Sequence, residues 1–240
     1  MVRKKLVQSE YKSMAGFRWR GKEVSRVEGF SDSVFAFAVT LLVVSLEVPK
    51  TFSDLLANMR GFVAFGLCFA ILIYIWHLHY VFFRRYGLTD TYTIILNAIL
   101  LFVVLFYIYP LKFLFTVVIN GLLGVEQNTG LGGQKMMFIY NGGYFTVFLL
   151  LSMLYRHAYR MKESLQLSDV ESHDTRYSIG QCVIQMAMTI LSSSIALFVG
   201  DHLSWVAGVS YFLIGPSMAI FGYRMGKKRE QLSTAAARLK

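Results

Sequence analysis

Asp32 sits where a carboxylate is hardest to keep. It follows Arg26-Val27-Glu28-Gly29-Phe30-Ser31 and precedes an apolar stretch that runs to Val48 and Pro49. An aspartate at mid-membrane costs about 2.5 to 3.5 kcal/mol or more, so Asp32 needs polar partners inside the protein. Trp76 and His79 are three residues apart and share a helix face, offering an indole N–H and an imidazole to a neighbouring helix. Asn97 adds an amide in the next apolar stretch. Such groups can form a buried network that locks helices together, a structural role. Alternatively, Asp32 and His79 could relay protons, as in a proton-coupled transporter.

Other chemistry has less support. His77 and His79 are two apart and point to different faces of a helix, no His-Glu-x-x-His run is present, and no Gly-x-Ser-x-Gly elbow appears. The chain is therefore not read as an enzyme, and no metal site or cofactor is expected. Asp169, Glu171, His173 and Asp174 could bind a divalent ion or sense pH, but such a run between apolar stretches reads as a solvated loop. Leu131 and its glycine neighbours are neither preceded by a strand nor followed by a lysine-serine pair, so they do not form a phosphate cradle.

The elements that must position these residues are membrane helices. The 240 residues are 55% hydrophobic and only 16% charged, and the mean hydropathy is +0.51. That balance is too apolar for a soluble domain. Stretches of about 20 apolar residues, enough to cross a bilayer, lie near residues 26–48, 57–83, 91–118, 136–158, 177–199 and 203–223. The expected fold is an all-α integral membrane protein with six transmembrane helices. Residues 26–224 form one membrane domain between a basic N-terminal arm, 1–25, and a basic tail, 225–240.

Pro110 removes a helical hydrogen bond and should kink or end the third span, whereas Pro216 near Gly215 reads as a tolerated kink in the sixth. Asn120 to Gln134, rich in glycine, reads as an external loop. Cys68 and Cys182 fall inside apolar spans and support no disulfide framework. The first 25 residues hold seven Lys and Arg and no apolar run, so no signal-peptide core is expected.

The net charge of +10 has to be weighed against the rule that cytoplasmic loops hold Lys and Arg. One side receives the arm through Arg26, then Arg84 and Arg85, the loop with Arg156, Arg160, Lys162 and Arg176, and the tail from Arg224. The other keeps Lys50, Arg60, Lys112 and Lys135. Both termini are expected in the cytoplasm, and topology plus contact with anionic membrane lipid explains the charge without nucleic acid.

At 100° per residue the first span has two faces. Arg26, Phe30, Ser33, Phe37, Thr40, Leu41, Val44 and Val48 form one stripe, while Asp32, Phe35, Val39 and Leu46 lie opposite. Periodicity alone is satisfied if the first stripe packs against another helix or lipid.

The run Arg26-x-x-x-Phe30-Ser31-Asp32 before a long apolar helix resembles the signature of the transmembrane protein 175 family, potassium channels of lysosomes and prokaryotes. The resemblance continues through Trp76-x-x-His79, Asn97 and Pro110; the later spans match by hydropathy. Like that family, the chain lacks a Thr-Val-Gly-Tyr-Gly filter. The resemblance implies a prokaryotic-type, six-span subunit in the cell membrane, assembled as a homotetramer with the first helix of each copy lining a pore for K+. It places the narrow apolar ring, five residues after the motif aspartate, on Phe37. Leu41 and Val44 continue the constriction, and Thr40 supplies the hydroxyl ring associated with selectivity.

Phenylalanine departs from the isoleucine or leucine that the family more often has at that ring. Apolar rings of this kind block ions by dewetting and open by rotation or tilt of the helices. Glu47 near the external end would concentrate cations as a ring of four carboxylates, or is simply a solvated helix end. Conduction of protons through the same pore remains the alternative to potassium, beside the proton-coupled transporter.

Overall fold

The computed structural model describes residues 17–44, 50–124, 132–201 and 205–238. The main helices are α1 (Arg26–Val44), α2 (Phe52–Tyr86), α3 (Thr91–Leu122), α4 (Gly133–Arg160) and α5 (Asp169–Val199). A short α6 (Trp205–Val209), a 3-10 turn (Ser210–Leu213) and α7 (Ile214–Arg238) complete the chain. Six stretches are long and apolar enough to cross a membrane, the last formed by α6, the turn and α7. The chain is an all-helical, multi-pass membrane protein.

Local signals set the helix ends. Ser25 Oγ accepts the backbone N–H of Glu28 at 3.1 Å and starts α1. Asp90 caps α3, accepting from the Thr93 backbone at 3.3 Å and its hydroxyl at 2.7 Å. Ser168 and Glu171 form a capping box at the head of α5. Gly87 ends α2 with φ +60°, and a Cβ there would press on the backbone of Arg20. Only glycine meets both demands at low cost.

Several boundaries differ from the sequence reading. Helix α3 runs unbroken through Pro110. The proline leaves one carbonyl without its usual donor, but the helical bonds on either side carry the chain across, as membrane helices tolerate. The connection after α3 is shorter than expected, because α3 extends to Leu122 and α4 begins at Gly133. The sixth span is interrupted at its 3-10 turn, and Pro216 sits in the first turn of α7, where a missing N–H costs little.

The largest correction concerns the acidic run. Asp169 to Asp174 is the first part of α5, and Glu171, His173 and Asp174 are all buried. Glu171 receives Arg20 at 2.8 Å and Asp174 receives Arg229 at 2.8 Å. Distant arginines supply the counter-charge, which no local pattern announces. Arg20 also donates to the carbonyls of Leu165 and Gln166, at 2.8 and 3.1 Å. Residues 17–25 are thereby fastened to the end of the bundle, with Phe17 fully buried edge-on to Tyr86.

In the membrane interior the amide and phenol groups of α4 find partners, as a solvent without hydrogen bonds favours. Asn141 of α4 bonds Ser193 at 2.9 Å and accepts from Tyr211 at 2.7 Å. Tyr144 donates to Gln185 of α5 at 3.0 Å. Gly143 lets α4 approach α3, since a Cβ there would collide with the Tyr107 ring. These contacts make α3, α4 and α5 the rigid frame on which α1 and α2 rest.

Candidate pore helix and its polar anchor

Helix α1 buries Glu28, Ser31, Phe35, Ala38 and Leu42, a set spaced by three and four residues. This face packs on α2 and α3. Two adjacent residues fasten it. Trp76 Nε1 of α2 donates to Asp32 Oδ1 at 2.8 Å. Asn97 Nδ2 of α3 donates to Ser31 Oγ at 2.9 Å, and Ser31 donates in turn to the carbonyl of Val27 at 2.7 Å.

His79 does not reach Asp32. Its Nε2 lies 2.8 Å from Asn97 Oδ1. Because the Asn97 amide nitrogen already donates to Ser31, its oxygen faces His79 and the proton belongs on Nε2. The His79 ring is fully buried beside Phe35 and Phe83, with centroids at 5.6 and 4.6 Å. Its Nδ1 has no hydrogen-bond partner among the described residues. The expected set of Trp76, His79 and Asn97 therefore splits in two: Trp76 holds Asp32, whereas His79 aims Asn97 at Ser31.

Arg26 is exposed and makes no ion pair among the described residues. The buried charge of this turn is Glu28, whose Oε1 lies 3.9 Å from Arg84 Nε of α2. Arg84 also donates to the Gly21 carbonyl at 3.0 Å and lies over the Trp19 and Tyr80 rings. Glu28 was not among the residues expected to matter. Its spacing from Ser25, an N-cap pattern, was the available signal.

The opposite face of α1 is open. Phe30, Phe37 and Val44 are 64%, 55% and 72% exposed in the isolated subunit. Ser33 and Thr40 lie between them, also exposed, while Leu41 is half-buried and turns partly away. The expected stripe is thus present from Arg26 to Val44, centred on Phe30, Ser33, Phe37, Thr40 and Val44. Glu47 and Val48 lie outside the described residues.

The hydroxyls on this face have a defined direction. Ser33 donates to the Gly29 carbonyl and Thr40 to the Ala36 carbonyl, each at 3.0 Å. With the hydroxyl proton spent on the helix, the oxygen can only accept from or coordinate what lies outside. Oxygen without a competing proton is what a cation requires. Among the described residues no group of three or more His, Cys, Asp or Glu is placed to hold a metal ion.

The same region carries the sequence likeness. The family described as endosomal/lysosomal potassium channel TMEM175 matches residues 26–107, from the start of α1 into α3. A protein of Marivirga tractuosa named as a potassium channel is 41% identical over 230 residues, covering 90% of this chain and 93% of that one. A Chamaesiphon minutus potassium channel is 26% identical over 190 residues, covering 74% of this chain and 89% of its own.

Among solved structures, a variant of the potassium channel MtTMEM175 in complex with a nanobody-MBP fusion protein superposes with a TM-score of 0.76 at 40% identity. It covers 88% of this chain and 97% of that one. A lysosomal potassium-selective channel homologue from Chamaesiphon minutus shares the fold, with a TM-score of 0.52 at 24% identity over 83% of this chain and 96% of that one. Likeness of this extent, over nearly the whole length and through the residues that anchor α1, means that the chain belongs to the TMEM175 family of potassium channels.

Proposed function

We propose that this protein conducts K+ passively and selectively across the cell membrane, as a homotetramer with the exposed face of α1 from each copy lining a central pore. The observation that carries this reading is the division of α1. Its charged and amide-bonded groups all face inward, and its outer face holds only apolar side chains and proton-spent hydroxyls beyond Arg26. A helix anchored so firmly on one side and open on the other is suited to line a path rather than fill a core.

In the assembled channel Phe37 forms the narrowest ring and Val44 continues the constriction, with Leu41 beside it. Packed phenyl rings expel water, and without water a monovalent cation does not pass. Small rotations of α1 about its Ser31 and Asp32 anchors move Phe37 in or out. Thr40, one turn beyond, offers four outward oxygens to replace part of the hydration shell, which discriminates by field strength and width. Glu47 raises the local concentration of cations at the external mouth. Both termini face the cytoplasm, where the positive-inside rule puts the cation-rich end.

The partners are other copies of the chain, membrane lipid and the permeant monovalent cation, and no catalytic step or cofactor is involved. The polar chain through His79, Asn97 and Ser31 ends on the Val27 carbonyl. A dead end of that kind supports an anchor over the proton relay a coupled transporter needs.

The test is the reversal potential of purified protein in planar bilayers under opposed K+ and Na+ gradients. Unitary steps reversing near the potassium potential are expected. Saturating, coupled flux without steps would replace the channel with a transporter, and a reversal that follows the pH gradient would make the ion a proton.

A further inference from the structure

Two cations share one aromatic ring at the end of α4, and neither is ion-paired to an acid among the described residues. The Arg176 guanidinium lies 5.2 Å from the centroid of the Tyr159 ring, and Lys162 Nζ lies 5.9 Å from it. Arg176 Nε donates to the Tyr159 hydroxyl at 2.8 Å, which fixes the guanidinium and leaves the donors of its two terminal nitrogens without a hydrogen-bond partner among the described residues. Both cations are exposed, and neither makes an ion pair among the described residues. Elsewhere at this end the buried carboxylates each have an arginine. Gathering two like charges on one ring is unfavourable unless an anion answers them.

The surface beneath identifies the anion's source. From Arg176 toward the other end of α5 the exposed residues include Val183, Ile190, Leu197 and Phe198. At 1.5 Å per residue, Arg176 and Phe198 are separated by about 33 Å, close to the ~30 Å hydrocarbon thickness of a bilayer. Arg176 therefore stands at headgroup level, with an apolar track below it. Helix α5 packs on α4, α6 and α7 and makes no helix contact with α1, so this face looks away from the pore helix and toward lipid.

We propose that Tyr159, Lys162 and Arg176 bind the phosphate of an anionic phospholipid, whose acyl chains lie along the exposed face of α5. The lipid clamps the end of α4 to the head of α5, across the turn that also receives Arg20. The site is independent of which ion the pore passes.

The test uses the purified full chain in neutral detergent, titrated with phosphatidylglycerol or phosphatidylcholine and read by native mass spectrometry of bound lipid. Phosphatidylglycerol should bind about tenfold more tightly than phosphatidylcholine. The Lys162→Gln, Arg176→Gln double variant should lose that preference, and Lys135→Gln at the opposite end should keep it. Soluble glycerol phosphate in excess should not displace the lipid.

Equal binding of the two lipids by the natural chain would overturn the proposal, as would an unchanged preference in the folded double variant. Displacement by glycerol phosphate would mean a free-anion site instead. Tyr159→Phe gives a second route in a conservatively altered protein. It keeps the ring but frees Arg176 Nε, and the lipid preference should fall severalfold; no change would reject the site.

Discussion

Two residues set the opposite faces of α1. Phe37 is 55% exposed in its own subunit, and in the proposed assembly the exposed part of its ring is covered by other copies. Phe37→Ala should enlarge the resting cation current in bilayers, because a smaller apolar ring admits water more readily; unchanged current from a well-folded variant would remove Phe37 from the gate. Asn97 is the converse, satisfied entirely inside the subunit by His79 and Ser31. Asn97→Ala strands a buried imidazole N–H, a loss of about 1 to 3 kcal/mol. It should appear as a lower melting temperature in detergent while single-channel conductance is retained. Asp32, Trp76 and Asn97 could be chosen from the sequence because a polar group in an apolar run has to be paired. Which of them pairs with which could not, since that depends on the rotation of α2 and α3.

At the scale of elements, the connections at the arm end are braced by charge. The Arg20 to Glu171 pair joins residues 17–25 to α5 with both side chains largely buried, 10% and 6% exposed. Removing one partner of a buried pair leaves an uncompensated charge and costs about 3 to 5 kcal/mol. Arg20→Ala should therefore lower thermal stability and open the Arg18 to Lys22 segment to trypsin. Resistance equal to that of the natural chain would show that Phe17 holds the segment by itself. A second brace joins the α3 cap to the end of α4, where His157 Nε2 lies 3.0 Å from Asp90 Oδ2.

Burial pushes the Asp90 carboxyl up, but hydrogen bonds from Thr93 and the nearby His157 outweigh it and hold the group below its ordinary value of 3.8. A lowered folded value means that the carboxylate contributes stability above pH 3.8, and that this contribution is lost as the pH falls through the folded value. Asp90→Asn keeps a good N-cap but no charge. The natural chain should melt higher than the variant at pH 6, and the difference should shrink toward pH 3; a constant difference would mean the cap alone matters.

For the whole molecule, the closures at each end of the bundle show how the helices alternate. Arg20 with Leu165, Glu28 with Arg84, Asp90 with His157 and Asp174 with Arg229 all lie at one end, and Gln134 with Asp201 at the other. The exposed cations Arg156, Arg160, Lys162, Arg176, Arg224, Lys227 and Lys228 share the first end. One helix cannot enclose a path, so the proposed pore needs symmetric copies of α1 around an axis. With a subunit of 27.4 kDa, four copies give a native mass of about 110 kDa after lipid and detergent are stripped. A different integer multiple would change the width of the Phe37 ring and the selectivity expected of Thr40.

The sequence by itself determined the solvent, the number of spans and the two faces of α1, because hydropathy and helical periodicity are local properties that each residue declares without its neighbours. It also marked Asp32, Trp76, His79 and Asn97 as needing partners. The tertiary structure alone decided that Glu171 and Asp174 are buried rather than solvated, that α3 passes through Pro110 unbroken, and that His79 serves Asn97 instead of Asp32. Arg20 and Glu171 are 151 residues apart, and Arg229 and Asp174 are 55 apart. A carboxylate reads as exposed until the chain folds an arginine onto it, and that encounter is fixed by the packing of helices, which no short run of sequence contains.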